Sequence, residues 1–203
     1  MRIYPYHKQV KSLGNLNVVE FLEDTHTYLV DGVIVPSVTT IVGWVMKDDF
    51  SHIPSDVLQK KAEHGTLVHE YIQAIENGMT YKELCLAKID PNVKAAVNEY
   101  RALKKKSPFT VKSMEQIVYN TKCAGRYDIL TTDNELIDIK TTYRLNEEHL
   151  QWQLGLYYYL MNVEKKYGFV MWLPKQTDGC FKAIEVKTNK ECEEVIEAFL
   201  NSH

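Results

Sequence analysis

Two charged residues, Asp138 and Lys140, lie two positions apart inside the apolar stretch ELIDIKTT, residues 135–142. Alternate side chains of a β-strand share a face. Asp138 and Lys140 are therefore predicted to share a face with Leu136, whereas Ile137 and Ile139 take the other. The flanking isoleucines indicate a buried strand, and charged groups are rarely buried without a partner or a function. This strand is the first candidate for chemistry.

A further acid, Asp128, precedes Asp138 by ten residues, at the end of the segment GRYD. A tight hairpin would bring the two carboxylates close together, and like charges so close repel unless a cation lies between them. Oxygen-rich sites suit Mg²⁺ or Mn²⁺, which act as Lewis acids on phosphoryl groups. Lys140 beside such an ion could orient water or neutralise developing charge. A structural Asp–Lys pair on a half-exposed strand is the alternative.

The elements that would position these residues follow from apolar periodicity, caps and turn residues. Short strands are expected over 17–35, with turns at 23–24 and 31–32, followed by a Ser37-capped helix through Val45. The remaining predictions are helices over 55–77 (capped by Ser55 and ended by Gly78), 80–88, 92–105, 146–163 and 189–201, and strands over 110–119, 123–132, 135–142, 166–173 and 180–186. This order predicts an α/β or α+β sandwich with a mixed central sheet.

His69 lies at the border of the apolar stripe predicted for the helix over 55–77. A lone histidine in such a place is usually a core residue whose hydrogen bonds are satisfied. In the company of Asp128 and Asp138, a neutral imidazole that binds the same metal ion is the favoured interpretation.

The ordered motifs G-x-x-D, D-x-K and Q-x-x-x-Y resemble those of the RecB-like branch of the PD-(D/E)xK nucleases. The matching residues are Gly125, Asp128, Asp138, Lys140, Gln153 and Tyr157. Upstream, HGTLVHEYI (64–72) resembles the helix in which a histidine, here His69, completes the metal shell. YLVDGVIVPSVTTIVG (28–43) resembles the lead-in of phage exonucleases and of the mitochondrial genome-maintenance exonuclease. The resemblance covers roughly residues 28–160.

The resemblance implies an α/β PD-(D/E)xK core, a central mixed sheet flanked by helices. We expect a single nuclease domain over 1–203, with N-terminal strands and a helical elaboration over 1–108 and the catalytic core over 109–203. The resemblance further implies that His69, Asp128, Asp138 and the Ile139 carbonyl bind the metal ion. Lys140, a catalytic residue with the two acids, would position or deprotonate the attacking water. The products would carry 5′-phosphates.

Six more residues are candidates for supporting the site or binding substrate. They are Glu115, Arg126, Thr141, Arg144, Gln153 and Tyr157. The family resemblance implies that Glu115 contacts the metal directly or through water, though an exposed strand glutamate is an equal alternative, and that Gln153 and Tyr157 support the site or the substrate. The Thr141 hydroxyl could bind phosphate or merely reflect β-propensity. Arg126 and Arg144 are predicted to contact the DNA backbone.

The expected activity is a Mg²⁺- or Mn²⁺-dependent DNA exonuclease, because the lead-in segment resembles that of exonucleases. An arch of helices over 45–105 could admit only a single strand with an end. The expected partner is end-bearing, single-stranded DNA, together with recombination or replication proteins of a phage or bacterium. A structure-specific endonuclease and a non-catalytic DNA-binding relative are the alternatives.

Composition and apolar-run length argue against several kinds of site and of cellular location. The four cysteines are far apart, which argues against a disulfide framework, a zinc site and the three-cysteine grouping of the iron–sulfur relatives. No run of about 18 apolar residues and no signal peptide is evident, so a cytoplasmic protein of a bacterium or phage-infected cell, without a membrane partner, is expected. The net charge of −3 is compatible with DNA binding, since carboxylates of a metal site contribute to it.

Overall fold

A computed structural model describes residues 8–11, 18–48, 51–86, 88–175 and 177–203. Within these ranges the chain forms two sheets and six helices. The strands are β1 (Lys8–Lys11), β2 (Val18–Leu22), β3 (Thr27–Val30), β4 (Val33–Val35), β5 (Val111–Tyr119), β6 (Ala124–Thr131), β7 (Leu136–Lys140), β8 (Tyr167–Trp172) and β9 (Cys180–Glu185). The helices are α1 (Val38–Met46), α2 (Ser55–Glu76), α3 (Tyr81–Leu86), α4 (Pro91–Lys106), α5 (Glu147–Leu160) and α6 (Asn189–Asn201).

The larger sheet has the strand order β5-β6-β7-β8-β9. Its neighbours are antiparallel except β7 and β8, which are parallel. Parallel neighbours need a crossover connection, and α5 supplies it. The predicted α/β class with a mixed sheet flanked by helices is therefore confirmed.

Each face of the larger sheet is covered by its own hydrophobic cluster. Leu136 packs into the cluster that contains Leu154 of α5. Ile137 and Ile139 pack into the cluster that contains Val68 of α2. The predicted alternation along β7 is thus confirmed, and both faces of this strand are covered by helices.

The smaller sheet is an antiparallel meander of the order β1-β2-β3-β4. The turn between β3 and β4 is formed by Asp31 and Gly32, which have φ angles of 52° and 78°. Positive φ at both central residues suits the twist of a two-residue hairpin, so the predicted turn is confirmed. A parallel bridge between Ser37 and Ala124 joins this region to β6.

Two predicted helix ends were wrong. Ser55 does not cap α2: the carbonyl of Pro54 accepts a hydrogen bond from the Val57 amide, so the helix already includes Ser55, and Pro54 is the N-cap. Helix α5 ends at Leu160 instead of 163, because Asn162 has a φ of 54°, a left-handed conformation that stops a helix.

Residue 17, the predicted start of the strand region, and residue 87, inside the helix predicted over 80–88, lie outside the described residues. Across the part of the chain that the structure describes, the helices are each too short or too polar to cross a membrane.

Candidate active site

Strand β6 and strand β7 separate at the position of the two aspartates. Their ladder pairs Leu130 with Leu136 and Ile129 with Ile137, so the next positions outward are Asp128 and Asp138. At this point the Ile139 amide donates a hydrogen bond of 2.6 Å to the Asp128 side chain, at Oδ2, instead of to a main-chain carbonyl of β6. The hairpin therefore brings both acids to one end of the ladder and fixes Asp128 on β7.

Glu115 reaches the same place from β5. The ladder pairs Met114 with Ile129 and Gln116 with Tyr127, which puts Glu115 opposite Asp128. Its φ of 51° is left-handed, and this conformation costs a non-glycine residue about 1–2 kcal/mol. Strain of this kind persists where the surrounding structure enforces it, often at functional sites.

His69 of α2 completes this group. Its Nδ1 lies 3.4 Å from Glu115 Oε1 and 3.5 Å from Asp128 Oδ1, and its Nε2 lies 3.2 Å from the Ile139 carbonyl oxygen. One ligand atom each from His69, Glu115 and Asp128 lie within 4.8 Å of one another. We call these three residues the His69 cluster. Glu115 thus lies inside the group of possible metal ligands, a position that the sequence left open.

The carboxylates change the charge of the imidazole. Burial opposes a charge on His69, but the nearby Asp128 and Glu115 outweigh it and raise the pKa of His69 to about 9. A metal ligand must be a neutral imidazole. Binding of a divalent ion to the His69 cluster at neutral pH is therefore expected to release a proton.

Asp138 belongs to a second, tighter group. Its Oδ2 lies 2.8 Å from Lys140 Nζ, and its Oδ1 accepts a hydrogen bond of 2.8 Å from Gln153 Nε2. Lys140 in turn donates to Gln153 Oε1 at 3.1 Å. We call Asp138, Lys140 and Gln153 the Lys140 cluster. Gln153 holds both charged groups at once, which explains a glutamine that is only 5% exposed.

Charges in the Lys140 cluster are set by burial and by each other. Burial lowers the pKa of Lys140, but Asp138 and Asp128 outweigh it, so the net shift is upward and the group stays an ammonium. Burial and the neighbouring Asp128 raise the pKa of Asp138, against the effect of Lys140. Asp138 Oδ2 is buried and lies 2.8 Å from the Lys140 ammonium, and a carboxylate oxygen can accept more than one such contact. This oxygen has acceptor capacity left for a cation.

Tyr157 of α5 packs against β6 at Gly125, three residues before Asp128. A Cβ on Gly125 would lie 2.7 Å from Tyr157 Cε1 and 2.8 Å from Val38 Cγ2, closer than real Cβ atoms approach other atoms. Only glycine fits there. The glycine of G-x-x-D and the tyrosine of Q-x-x-x-Y are thus in direct contact, and together they set the distance between β6 and α5.

Other predicted substrate-binding residues are more dispersed. Arg126 Nε lies 3.0 Å from Glu115 Oε2, so its charge is already paired with the His69 cluster. Thr141 Oγ1 would be 3.6 Å from a Cβ on Gly65, which places Thr141 beside α2. Arg144 is exposed after β7, with its guanidinium 6.0 Å from the Tyr143 ring centroid.

Sequence reasoning missed His149. This residue lies one turn before Gln153 on α5, and its Nε2 is 3.8 Å from Asp48 Oδ2. Burial, and secondarily the charge of Lys140, lower the pKa of His149, so it faces the Lys140 side of the site as a neutral ring. The spacing of four between His149, Gln153 and Tyr157 was the available signal, since such residues share a helix face.

A cleft of about 700 Å³ opens beside the His69 cluster, between α2 and the smaller sheet. His69, Glu115 and Arg126 line its inner end, and Phe21 and His26 line the side that the smaller sheet contributes. The His69 cluster is therefore accessible from the cleft, whereas in the Lys140 cluster Asp138 and Gln153 are buried and only Lys140 is partly exposed.

No family model and no curated protein matches the chain. Among solved structures, one described as the crystal structure of SSO0001 is similar with 17% sequence identity and a TM-score of 0.38. The likeness covers 77% of this chain and 86% of that chain. The function proposed below depends on the side-chain geometry and not on this likeness.

Proposed function

We propose that the protein is a Mg²⁺- or Mn²⁺-dependent deoxyribonuclease with a RecB-like PD-(D/E)xK core, acting on the ends of single-stranded DNA. The observation that carries the proposal is the convergence of His69, Glu115, Asp128 and the Ile139 carbonyl oxygen within hydrogen-bond or ion-pair distances. The lysine–aspartate pair on the same strand lies next to this group.

The donor set fits a hard divalent ion. Asp128, Glu115 and the Ile139 carbonyl supply oxygen atoms, and His69 supplies one nitrogen. Carboxylate and carbonyl oxygens suit Mg²⁺ and Mn²⁺, and imidazole suits the transition metal of the two. When bound, the ion would polarise the scissile phosphate and lower the pKa of a bound water.

The chain's own residues would contribute positioning and charge. Lys140, held as an ammonium by Asp138 and Asp128, is suited to orient water and to stabilise negative charge on the phosphoryl group. Because Asp138 and Asp128 raise the pKa of Lys140 and favour its ammonium form, orientation of the attacking water is favoured over its deprotonation by Lys140. Gln153 would hold Lys140 and Asp138 in fixed positions through its hydrogen bonds to both.

The direct test is digestion of end-labelled single- and double-stranded DNA with Mg²⁺, Mn²⁺ or a chelator. We expect metal-dependent loss of the labelled strand, faster for single strands. Lys140→Ala should slow digestion by about 10²–10³-fold, the effect of removing one charge-stabilising donor. Lys182→Ala, which removes an exposed lysine paired with Glu147, is the matched control. Digestion that persists in chelator, or that proceeds in Lys140→Ala at the wild-type rate, would refute the proposal.

The preference for ends has its own test. Covalently closed circular single-stranded DNA should resist the protein under conditions that digest the linear form. Efficient cutting of the circle would contradict the exonuclease part of the proposal and would favour an endonuclease that uses the same site.

A further inference from the structure

The cleft beside the His69 cluster has two unlike sides. The side that the smaller sheet and β5 contribute carries the rings of Phe21 and His26 and the aliphatic Ile117, together with the carboxylate of Glu23. The side that α2 contributes carries Thr66, Glu70 and Gln73, which offer hydroxyl, carboxylate and amide groups. A ligand that suits both sides has a flat apolar face and a hydrogen-bonding edge.

His26 is the exposed ring on the aromatic side. Its centroid lies 5.0 Å from that of Phe21 with the rings perpendicular, and 6.0 Å from that of Tyr28. Its φ of 51° holds it in a left-handed turn. Burial, and then Arg126, lower the pKa of His26, so the ring is neutral at pH 7. Two buried aromatic rings, Phe21 and Tyr28, therefore hold an exposed, neutral imidazole at the cleft by edge-to-face contacts.

The inner end of the cleft is the proposed metal centre. His69 and Glu115 line the cleft and belong to the His69 cluster, and Arg126 pairs with Glu115. A strand whose phosphate lies at the His69 cluster would therefore place the attached sugar and base in the cleft. The volume of about 700 Å³ is that of a small-molecule site. Such a space is large enough for one unpaired nucleotide.

We propose that this cleft binds an unpaired nucleobase of the substrate strand, stacked on His26 and bonded at its edge by the polar side of α2. This inference rests on the proposed function and adds to it the reason for a single-strand preference. Every base has a flat face, and stacking on aromatic side chains tolerates all four bases. The pocket therefore selects unpaired DNA without selecting sequence.

The test measures kcat/KM for linear single-stranded oligonucleotides in which one base is removed, with the abasic position moved stepwise from the cleaved end. In the wild-type protein one position should reduce kcat/KM by about 5- to 150-fold, the range for one stacked base. In His26→Ala the intact strand should lose a similar factor and the abasic position should no longer matter. His26→Phe, which keeps an aromatic ring, should restore the dependence.

His203→Ala is the matched control, because His203 is also exposed and stacks on a phenylalanine, Phe199, at 4.3 Å, but does not line the cleft. It should behave as wild type, and thermal unfolding should show that every variant is folded. If His26→Ala digests intact and abasic strands as the wild type does, the base pocket is refuted and the nuclease stands. If the wild type digests no DNA with either metal, both proposals fail.

Discussion

The His69 cluster and the Lys140 cluster meet at the end of β7 but are built differently. The first joins α2, β5 and β6, with contacts of 3.4–3.5 Å around His69, and opens onto a cleft. The second comes from β7 and the helix that follows it, with contacts of 2.8–3.1 Å, and it contains a carboxylate that is only 2% exposed. The imidazole of the first group is held only by long contacts and borders the cleft, whereas the amide of Gln153 joins both charged groups of the second by short hydrogen bonds.

This difference suggests that the two clusters have different functions: the His69 cluster binds the ion, and the Lys140 cluster provides a fixed charge. Loosely spaced donors beside a cleft can close around an ion and its substrate, whereas a hydrogen-bonded charge pair is already organised before anything binds. Preorganised charge is effective because no reorganisation is needed at the moment of reaction. The predictions below separate the two clusters, beginning with the largest expected effect.

Asp128→Asn should be the most damaging substitution. It removes one negative charge from the His69 cluster while leaving an oxygen to accept the Ile139 amide. Because a bound metal contributes several kcal/mol of transition-state stabilisation, digestion should fall about 10³-fold or more. Titration of Mn²⁺ by calorimetry should show weakened binding, and Asp133→Asn in an exposed turn is the control. Unchanged Mn²⁺ affinity would remove Asp128 from the ligand set.

Gln153→Ala should affect the Lys140 cluster and spare the other. The loss of both amide contacts leaves Lys140 and Asp138 without their common partner. Digestion should fall by about 10–100-fold, the usual effect of removing an orienting group. Mn²⁺ affinity should change little, and exposed Gln59→Ala on α2 is the control. A larger loss of metal affinity than of rate would mean that the clusters are one unit.

Gly125→Ala tests the contact that spaces β6 from α5. The added methyl group would overlap Tyr157 and Val38, and overpacking of this kind costs about 1–3 kcal/mol of unfolding free energy. Gly43→Ala is a matched control, because the nearest atom there is at 3.6 Å and alanine favours a helix by up to about 1 kcal/mol. Urea unfolding measures the free energy of unfolding of both variants. Equal values would contradict the tight contact at Gly125.

The His69 cluster should also make metal-free stability depend on pH. His69 has a pKa of about 9 when folded, against 6.5 for the free side chain. A raised folded-state pKa means that the stabilisation is complete below about pH 6.5 and is lost as the pH rises to about 9. Urea unfolding in chelator should show this decline in the wild type. In His69→Asn the decline between about pH 6.5 and 9 should be absent, whereas His203→Ala should retain it. If the unfolding free energies of His69→Asn and the wild type fell in parallel with pH, the pH dependence would not come from His69.

His149→Ala should have the smallest effect. Its contact with Asp48 is long, at 3.8 Å, and a quarter of each side chain is exposed. Even a charged pair of this kind would contribute only about 0–1 kcal/mol, and a neutral imidazole contributes less. We therefore expect a change of less than about 5-fold in digestion rate and little change in unfolding free energy. A loss of 10²-fold or more would place His149 in the chemistry and extend the Lys140 cluster to a fourth residue.

Much of the fold was predictable because its signals are local. The alternation ELIDIK indicated a strand buried on both faces, and Asp31-Gly32 indicated a tight turn. Helix ends were harder to predict. Ser55 has the chemistry of a cap, but Pro54 supplies the first accepting carbonyl, and this depends on where the chain turns into α2.

The candidate site was predictable to the level of residue type and neighbourhood. The spacing of Asp128 and Asp138 is enough to place them at one end of a hairpin. It does not indicate that Asp128 bonds to the Ile139 amide while Asp138 pairs with Lys140. Arg126 was predicted to contact DNA, yet its guanidinium pairs with Glu115. This ion pair joins side chains of two neighbouring strands, β6 and β5, and the sequence pattern did not indicate it.

The amino-acid sequence by itself determined which side chains carry charge and which strand and helix faces they occupy, because periodicity and turn chemistry act over a few residues. Only the tertiary structure decided which of these groups meet. His69 and Glu115 are 46 residues apart, and their meeting depends on how α2 packs over the sheet, where apolar burial sets the position. The aromatic cleft arose in the same way, from a small sheet whose placement beside α2 is set by packing over long chain separations.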